Sequence, residues 1–295
     1  MRDLILDLES AGGLARTPWL GALGHTPYRL ATALRAGEVI RPRIGWLALP
    51  DARHSAFRAI QLGGRLASAN ALESYGIWVS HVTGLSVHCA RNASRLPPLG
   101  VGERRTHRKL RFTTDDSVSW RVSVADALVQ FSVDAAPREW LASVDSALHA
   151  GKITTRELQR LSRFVPPAHR RIAALADVRA ASGNETYARV LMVDAGLAVE
   201  SQVAIPLVGD VDFLVDGWLI VEVDSREFHD AETDQIRDRV RDGNAILLGF
   251  ATLRFMPEAL QDAPGWCLEV VRARLRADRP PPRSGRGGQA RRVAS

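Results

Sequence analysis

Two neighbouring segments of the chain, residues 211–215 and 219–224, alternate apolar and acidic side chains. A period of two predicts β-strands with one apolar face, and Asp216-Gly217 between the segments predicts the bend of a hairpin. The polar positions are Asp212 in the first segment and Glu222 and Asp224 in the second. The predicted hairpin therefore carries carboxylates on the face opposite its apolar residues.

The register of this hairpin decides whether the carboxylates meet. A tight two-residue loop would place Asp212 opposite Val221 and mix apolar and acidic residues on both faces. A longer loop centred on Gly217 pairs Phe213 with Val221 and brings Asp212 opposite Glu222, with Asp224 on the same face. Because a slip of one residue inverts every side chain of a strand, the apolar face favours the second register.

Carboxylates in directly opposed positions have chemical consequences. Their Cβ atoms lie about 5 Å apart, and the repulsion between the charges is relieved by protonation or by a divalent cation. Oxygen ligands of this type suit Mg²⁺ or Mn²⁺, which can activate water and neutralise charge on a phosphodiester. The pattern predicts metal-dependent hydrolysis of a nucleic-acid backbone, in which His229 could transfer a proton and nearby arginines could hold phosphates.

Further elements are needed to position this hairpin. Residues 182–185 have the spacing of a helix start, and a helix is expected from there to Gly196. A strand is expected at 202–206, a strongly charged helix at 234–242 and a last strand at 251–255.

The ordered combination of these residues resembles the restriction-endonuclease-like domain related to very-short-patch-repair endonucleases, within the PD-(D/E)XK nuclease superfamily. The resemblance covers residues 176–275 and is carried by Glu185, Asp212-Phe213, Glu222-Val223-Asp224-Ser225, Phe228-His229, Asp238-Arg239, Arg241-Asp242 and Leu253-Arg254-Phe255. It implies an α/β domain with a central mixed sheet and a metal site formed by Asp212, Glu222 and Glu185. It also implies that Asp224 and His229 belong to the catalytic site, and that Asp238 and Arg241 support it.

One departure from the superfamily pattern leaves two functions open. The third position of the second strand motif is often lysine there, whereas it is Asp224 here. The first function is a Mg²⁺-dependent DNA endonuclease, and the alternative is a catalytically inactive DNA-binding regulator. Glu185 also has a purely structural interpretation, as part of a capping box with an ion pair to Arg189.

The first 52 residues predict a different module. Helices are expected near residues 4–8, at Thr17-Pro18 and from Tyr28 to Arg35, followed by a hairpin formed by 39–40 and 44–47. This is the order of a winged helix-turn-helix, in which the third helix enters the major groove of DNA. The residues expected to contact DNA are Tyr28, Arg29, Thr32 and Arg35 on that helix, and Arg41 and Arg43 on the wing.

Residues 53–175 predict an α+β middle domain. Short strands are expected at 77–79, 85–89, 110–112 and 118–122, and helices at 124–133, at 139–150 and from Thr154. The basic run 104–109 is expected to be a solvated loop. Together with the winged helix, this region resembles AbiEi-type abortive-infection antitoxins, and the resemblance implies DNA binding.

Composition limits the remaining possibilities. The formal net charge is +6, and residues 276–295 contribute +5 of it through six arginines and one aspartate, so that segment is expected to be a disordered basic tail. The two cysteines exclude a disulfide scaffold. The charged N-terminus is unlike a signal peptide, and no stretch is long and apolar enough to span a membrane. We therefore expect a cytoplasmic protein that binds DNA, Mg²⁺ or Mn²⁺, and neither a membrane nor an organic cofactor.

Overall fold

A computed structural model describes residues 2–52, 54–113, 118–180, 182–224 and 232–277 of the chain. It is an α+β structure that divides into two compact units, unit 1 (Met1–Ala174) and unit 2 (Leu175–Ser295). No helix in the described ranges is long and apolar enough to cross a membrane.

Unit 1 begins with three helices and a small antiparallel sheet. The order is α1 (Leu4–Ser10), β1 (Leu14–Arg16), α2 (Thr17–Ala22), α3 (Pro27–Ala36) and β2 (Trp46–Ala48). The predicted helices are confirmed, and α3 starts as expected because the Thr26 hydroxyl accepts a hydrogen bond from the Arg29 amide. The expected hairpin is reduced to one bridge between Ile40 and Ala48, and β2 pairs mainly with β1, a strand that the sequence analysis missed.

The rest of unit 1 combines helices with a three-stranded sheet. Its elements are α4 (His54–Gln61), β3 (Arg65–Leu66), α5 (Ser68–Ser74), β4 (Leu85–His88), β5 (Glu103–Thr106), α6 (Val124–Phe131), α7 (Pro137–His149), α8 (Thr155–Leu161) and α9 (Pro167–Ile172). In the sheet, β4 lies between β3 and β5, antiparallel to the first and parallel to the second. The predicted basic loop 104–109 is wrong in part, because Arg104, Arg105 and Thr106 belong to β5.

Three of the strands predicted in unit 1 do not form, and in two of them main-chain amides donate to side chains instead of to a partner strand. The Trp78 amide donates to the Ser146 hydroxyl, and the amides of Arg111 and Phe112 donate to the Asp126 carboxylate. At 118–122 the pairing is limited to one bridge between Arg121 and Leu66.

Unit 2 is built on a mixed four-stranded sheet. Its elements are α10 (Gly183–Asp194), β6 (Val199–Ile205), β7 (Gly209–Val215), β8 (Leu219–Val223), α11 (Glu232–Leu247), β9 (Ala251–Phe255), α12 (Pro257–Asp262) and α13 (Pro264–Arg276). The strand order is β6-β7-β8-β9; the first three strands are antiparallel, whereas β9 runs parallel to β8 after the crossover through α11.

Two apolar clusters hold the helices of unit 2 against the sheet. Phe213, Val215, Leu219 and Val221 pack with residues of α10, α12 and α13, including the buried Cys267. The second cluster joins Ile205, Val208, Val211 and Ile220 to Ala245 of α11. Val211 was expected on the face of Phe213, but it packs in the second cluster.

Candidate functional site

The hairpin of β7 and β8 has the register that hydrophobicity favours. Phe213 pairs with Val221 and Val215 with Leu219, so the predicted register is confirmed for these residues. The pairing ends at Phe213, so Asp212 and Glu222, which were expected to lie opposite each other, are not a paired position of the ladder. The loop is possible because Asp216 and Gly217 both adopt left-handed backbone angles, with φ of 48° and 72°. Trp218 closes the turn by donating its amide to the Val215 carbonyl at 3.2 Å.

Asp212 lies on β7 just beyond the paired residues, among other carboxylates. Its Oδ2 accepts a hydrogen bond from the Val223 amide at 2.8 Å. The Asp212 side chain is therefore bonded to the main chain of the neighbouring strand β8. Burial raises the pKa of Asp212, the Val223 amide opposes that shift, and the charges of Glu185 and Asp224 raise the pKa further. The site thus concentrates negative charge around a half-buried carboxylate.

Gln202 is a residue of this site that the sequence analysis missed. It stands on β6 between the pairs Ser201–Phe213 and Val203–Val211, and its φ of 52° is unusual for a residue other than glycine in a strand. Its Nε2 donates to Glu185 Oε2 at 2.9 Å, and its side chain also hydrogen-bonds Asp212. An isolated glutamine in an alternating segment carries no signal in the sequence that would identify this role.

Glu185 reaches the site from the first turn of α10. The Ser182 hydroxyl accepts a hydrogen bond from the Glu185 amide at 3.1 Å, which caps the helix as expected. The residue is buried, and its carboxylate meets Gln202. Capping by Ser182 and participation in the acidic site are therefore compatible at this position.

Glu222 is contacted by positive charges, whereas the charges of Glu185 and Asp224 near Asp212 are negative. Two arginines form these contacts with Glu222. Arg254, its neighbour on β9, donates from Nε to Oε2 at 2.9 Å, and Arg241 of α11 approaches Oε1 to 3.4 Å. Burial raises the pKa of Glu222, and the two guanidinium groups oppose that shift. Arg254 also bonds Asp242 at 2.5 Å, which extends the ionic network to α11.

The predicted supporting residues meet on α11. Arg241 donates from Nε to the Val208 carbonyl at 2.6 Å and from Nη2 to the Asp210 carbonyl at 2.8 Å. Asp238 lies 3.8 Å from Arg241 and is largely exposed. Arg241 therefore ties α11 to the turn between β6 and β7 as well as to Glu222.

The side chains around Asp212 are carboxylates, which are the ligand type that a hard divalent cation prefers. In the described part of the chain, no three His, Cys, Asp or Glu side chains form a group that could hold a metal ion by themselves. Mg²⁺, however, is usually held by one or two carboxylates with water and substrate phosphate, so a complete protein cage is not required. Asp212, Asp224 and Glu185 supply carboxylates of that type, whereas Glu222 is already contacted by two arginines. His229 lies outside the described residues.

The predicted DNA-contacting residues of unit 1 divide into two groups. Tyr28, Thr32 and Arg35 are exposed on α3, while Leu30 and Leu34 pack against the core as expected. Arg41 is exposed as well.

The other two predicted contacts are partly engaged within unit 1. Arg29 is half-buried, and Arg43 donates to the Gln61 carbonyl at 3.2 Å. The bond uses one N–H of Nη1, so the other N–H groups of Arg43 remain available to a phosphate.

Comparisons with known proteins add little to this geometry. No protein-family model matches the chain. No curated protein matches it. Among solved structures, the chain is similar to the crystal structure of the RV2827C protein from Mycobacterium tuberculosis, with 15% identity and a TM-score of 0.30 over 62% of this chain and 78% of that one. A likeness of that size assigns neither fold nor function.

Proposed function

We propose that unit 2 is a divalent-metal-dependent endonuclease domain that hydrolyses phosphodiester bonds of DNA. The observation that carries this proposal is the concentration of charge around Asp212, whose pKa is raised by burial and by Glu185 and Asp224. Repulsion of this kind costs stability, and a cation relieves it. The proposal agrees with the resemblance of residues 176–275 to the PD-(D/E)XK superfamily.

Each side chain of the site has a defined part in this proposal. Asp212 and Asp224 would hold the ion, and Gln202 would orient the carboxylates of Glu185 and Asp212. Mg²⁺ or Mn²⁺, when bound, would lower the pKa of a water molecule and neutralise charge on the phosphodiester. Arg241 and Arg254 would hold Glu222 and bind the phosphate oxygens of the DNA backbone.

Cleavage of plasmid DNA by the full chain tests the proposal. We expect nicking or linearisation in Mg²⁺ or Mn²⁺, and loss of activity in EDTA. Asp212→Asn keeps the size of the side chain but removes its charge, and we expect it to lower the cleavage rate at least about 100-fold.

The matched control is Asp210→Asn, because Asp210 is an exposed aspartate two residues away on the same strand. It should retain cleavage within about twofold of the wild type. Thermal unfolding of both variants checks the fold. Equal activity of the Asp212 variant and the wild type, or cleavage that persists in EDTA, would contradict the proposal.

The balanced charge of Glu222 favours a second candidate function. A carboxylate already contacted by two arginines needs no cation, as expected for a domain that keeps the fold without catalysis. In that case the chain would be a DNA-binding regulator that reads DNA through Tyr28, Thr32 and Arg35 of α3.

Electrophoretic mobility shifts separate the two functions. A regulator should shift selected duplex sequences without cutting them, and neither EDTA nor Asp212→Asn should alter the shift. Arg35→Gln should weaken that shift, since it removes an exposed charge from α3.

A further inference from the structure

A basic and aromatic surface in unit 1 is used neither by α3 nor by the acidic site. It is a shallow concavity of about 410 Å³ formed where the loop before residue 113 meets α8 and the 3₁₀ turn Ser162–Phe164. We call it the Arg/Phe patch and define it by Lys109, Arg111, Phe112, Arg160, Arg163 and Phe164. The four basic residues are exposed, and no acidic side chain of the described residues lines the concavity.

The loop of the Arg/Phe patch is held in place by one buried carboxylate. Asp126, at the start of α6, accepts the amide of Arg111 at 2.9 Å and the amide of Phe112 at 3.1 Å. The Ser123 hydroxyl donates to the same carboxylate at 3.1 Å. Because the backbone of this loop is fixed from inside, its basic side chains stay on one side of the surface.

Two of the three arginines of the patch lie over aromatic rings. The guanidinium carbon of Arg111 is 4.0 Å from the ring centroid of Phe164, and that of Arg160 is 5.5 Å from the centroid of Phe112. The two rings meet edge to face at 6.4 Å. A guanidinium stacked on a ring still has the N–H groups at its rim available for phosphate oxygens. Phe164 itself remains 39% exposed.

We propose that the Arg/Phe patch is a binding surface for single-stranded nucleic acid. Four cations without a lining carboxylate attract the phosphate backbone, and an exposed ring offers a surface on which an unpaired base can stack. A duplex supplies the same phosphates but keeps its bases stacked on each other, so the aromatic part of the surface selects for unpaired strands. The inference does not depend on catalysis in unit 2.

Fluorescence anisotropy with the full chain in EDTA tests this proposal. The probes are a labelled 20-nucleotide single strand, the corresponding duplex and, as a competitor, polyglutamate. Arg160→Gln/Arg163→Gln should weaken binding of the single strand about tenfold at low salt, and should lower the slope of log K against log salt by about 1.4.

The control pair is Arg91→Gln/Lys152→Gln, which removes the same charge from exposed positions of unit 1 outside the patch. It should change single-strand affinity less than twofold. Equal losses in the two double variants would overturn the proposal, since binding would then depend on net charge alone. Displacement of the strand by polyglutamate at matched charge concentration would also overturn it and indicate an acidic protein ligand.

The aromatic contribution has its own variant. Phe164→Leu keeps an apolar side chain of similar size but removes the ring, so it should weaken single-strand binding about fivefold or more and leave the salt slope and the duplex affinity unchanged. If Phe164→Leu left the affinity for the single strand unchanged, the proposal that the patch selects unpaired bases by stacking would be overturned. Circular dichroism of each variant shows whether the fold is kept.

Discussion

Asp212 and Glu222 lie on neighbouring strands, yet the charges around them have opposite signs. Asp212 is surrounded by Glu185 and Asp224, whereas Glu222 is contacted by Arg241 and Arg254. Alternation of apolar and acidic residues predicted that the carboxylates share a face of the hairpin. Alternation alone could not predict that Arg241 and Arg254 contact Glu222, because their positions depend on α11 and β9, which are remote in sequence.

His88 gives a prediction about pH at the scale of a single residue. It is buried on β4 opposite Arg65, and burial, with Arg65 and His107, lowers its pKa to about 4. In the unfolded chain an imidazole titrates near pH 6.5, so between about pH 6.5 and pH 4 the unfolded state binds a proton that the folded state does not. The free energy of unfolding should therefore fall on acidification, through this residue, by on the order of 3 kcal/mol.

Urea denaturation of the wild type and of His88→Gln, from pH 7 to pH 4, measures this contribution. The raised pKa values of Asp126, Asp212 and Glu222 have the opposite effect, since they increase the free energy of unfolding as the pH falls. These contributions are common to both proteins and cancel in the difference between them. The stability advantage of the wild type should shrink as the pH falls. A difference that is independent of pH would show that His88 does not titrate in this way.

At the scale of elements, the parallel pairing of β4 and β5 depends on a glycine. Gly84 precedes β4 with φ of 69°, and a Cβ atom there would lie 2.0 Å from the Gly102 carbonyl oxygen, which accepts the Leu85 amide. We expect Gly84→Ala to lower the free energy of unfolding by about 2–4 kcal/mol, because the new atom contacts backbone that cannot move without breaking the pair.

Gly21→Ala is the matched control for this change, since Gly21 lies in α2 with open space around its Cα. It should stabilise the protein by about 0.5–1 kcal/mol, as alanine does in a helix. Urea denaturation measures both variants. A loss of stability with Gly21→Ala as large as with Gly84→Ala would mean that the contact with Gly102 is not the cause.

The elements that could be predicted from the sequence are those with local signals. Thr26 caps α3, Thr154 and Glu157 form a capping box at α8, and alternation defines β7 and β8 with their register. The strands expected at 110–112 and 118–122 failed because short apolar runs do not show whether a partner strand is available. In the run 110–112, the amides of Arg111 and Phe112 donate to the Asp126 carboxylate instead of to a strand. No local sequence pattern indicates such a contact.

At the scale of the whole molecule, the chain contains two units with separate apolar clusters. Units with their own cores usually unfold as separate cooperative transitions. We expect calorimetry to show two transitions and Gly84→Ala to lower only the one that belongs to unit 1. A single transition that moves as a whole in the variant would contradict this expectation.

The division of unit 1 at residue 52 stays a prediction, as do the winged helix and the nuclease-like domain. Within unit 1, the Trp120 indole donates to the Ala11 carbonyl at 2.6 Å, so the first helices and the middle region share contacts. Composition suggests a boundary where the residue types change, but it contains no information about such contacts between distant positions.

The carboxylate of Asp126 also limits which sequences this part of the protein can tolerate. Asparagine has the same shape, but it offers one acceptor oxygen and would turn an amino group toward the second main-chain N–H, so that two donors face each other. The course of residues 109–112 is thus encoded by a side chain outside them. Substitutions among those four residues can alter what the surface recognises while the path of the backbone is preserved.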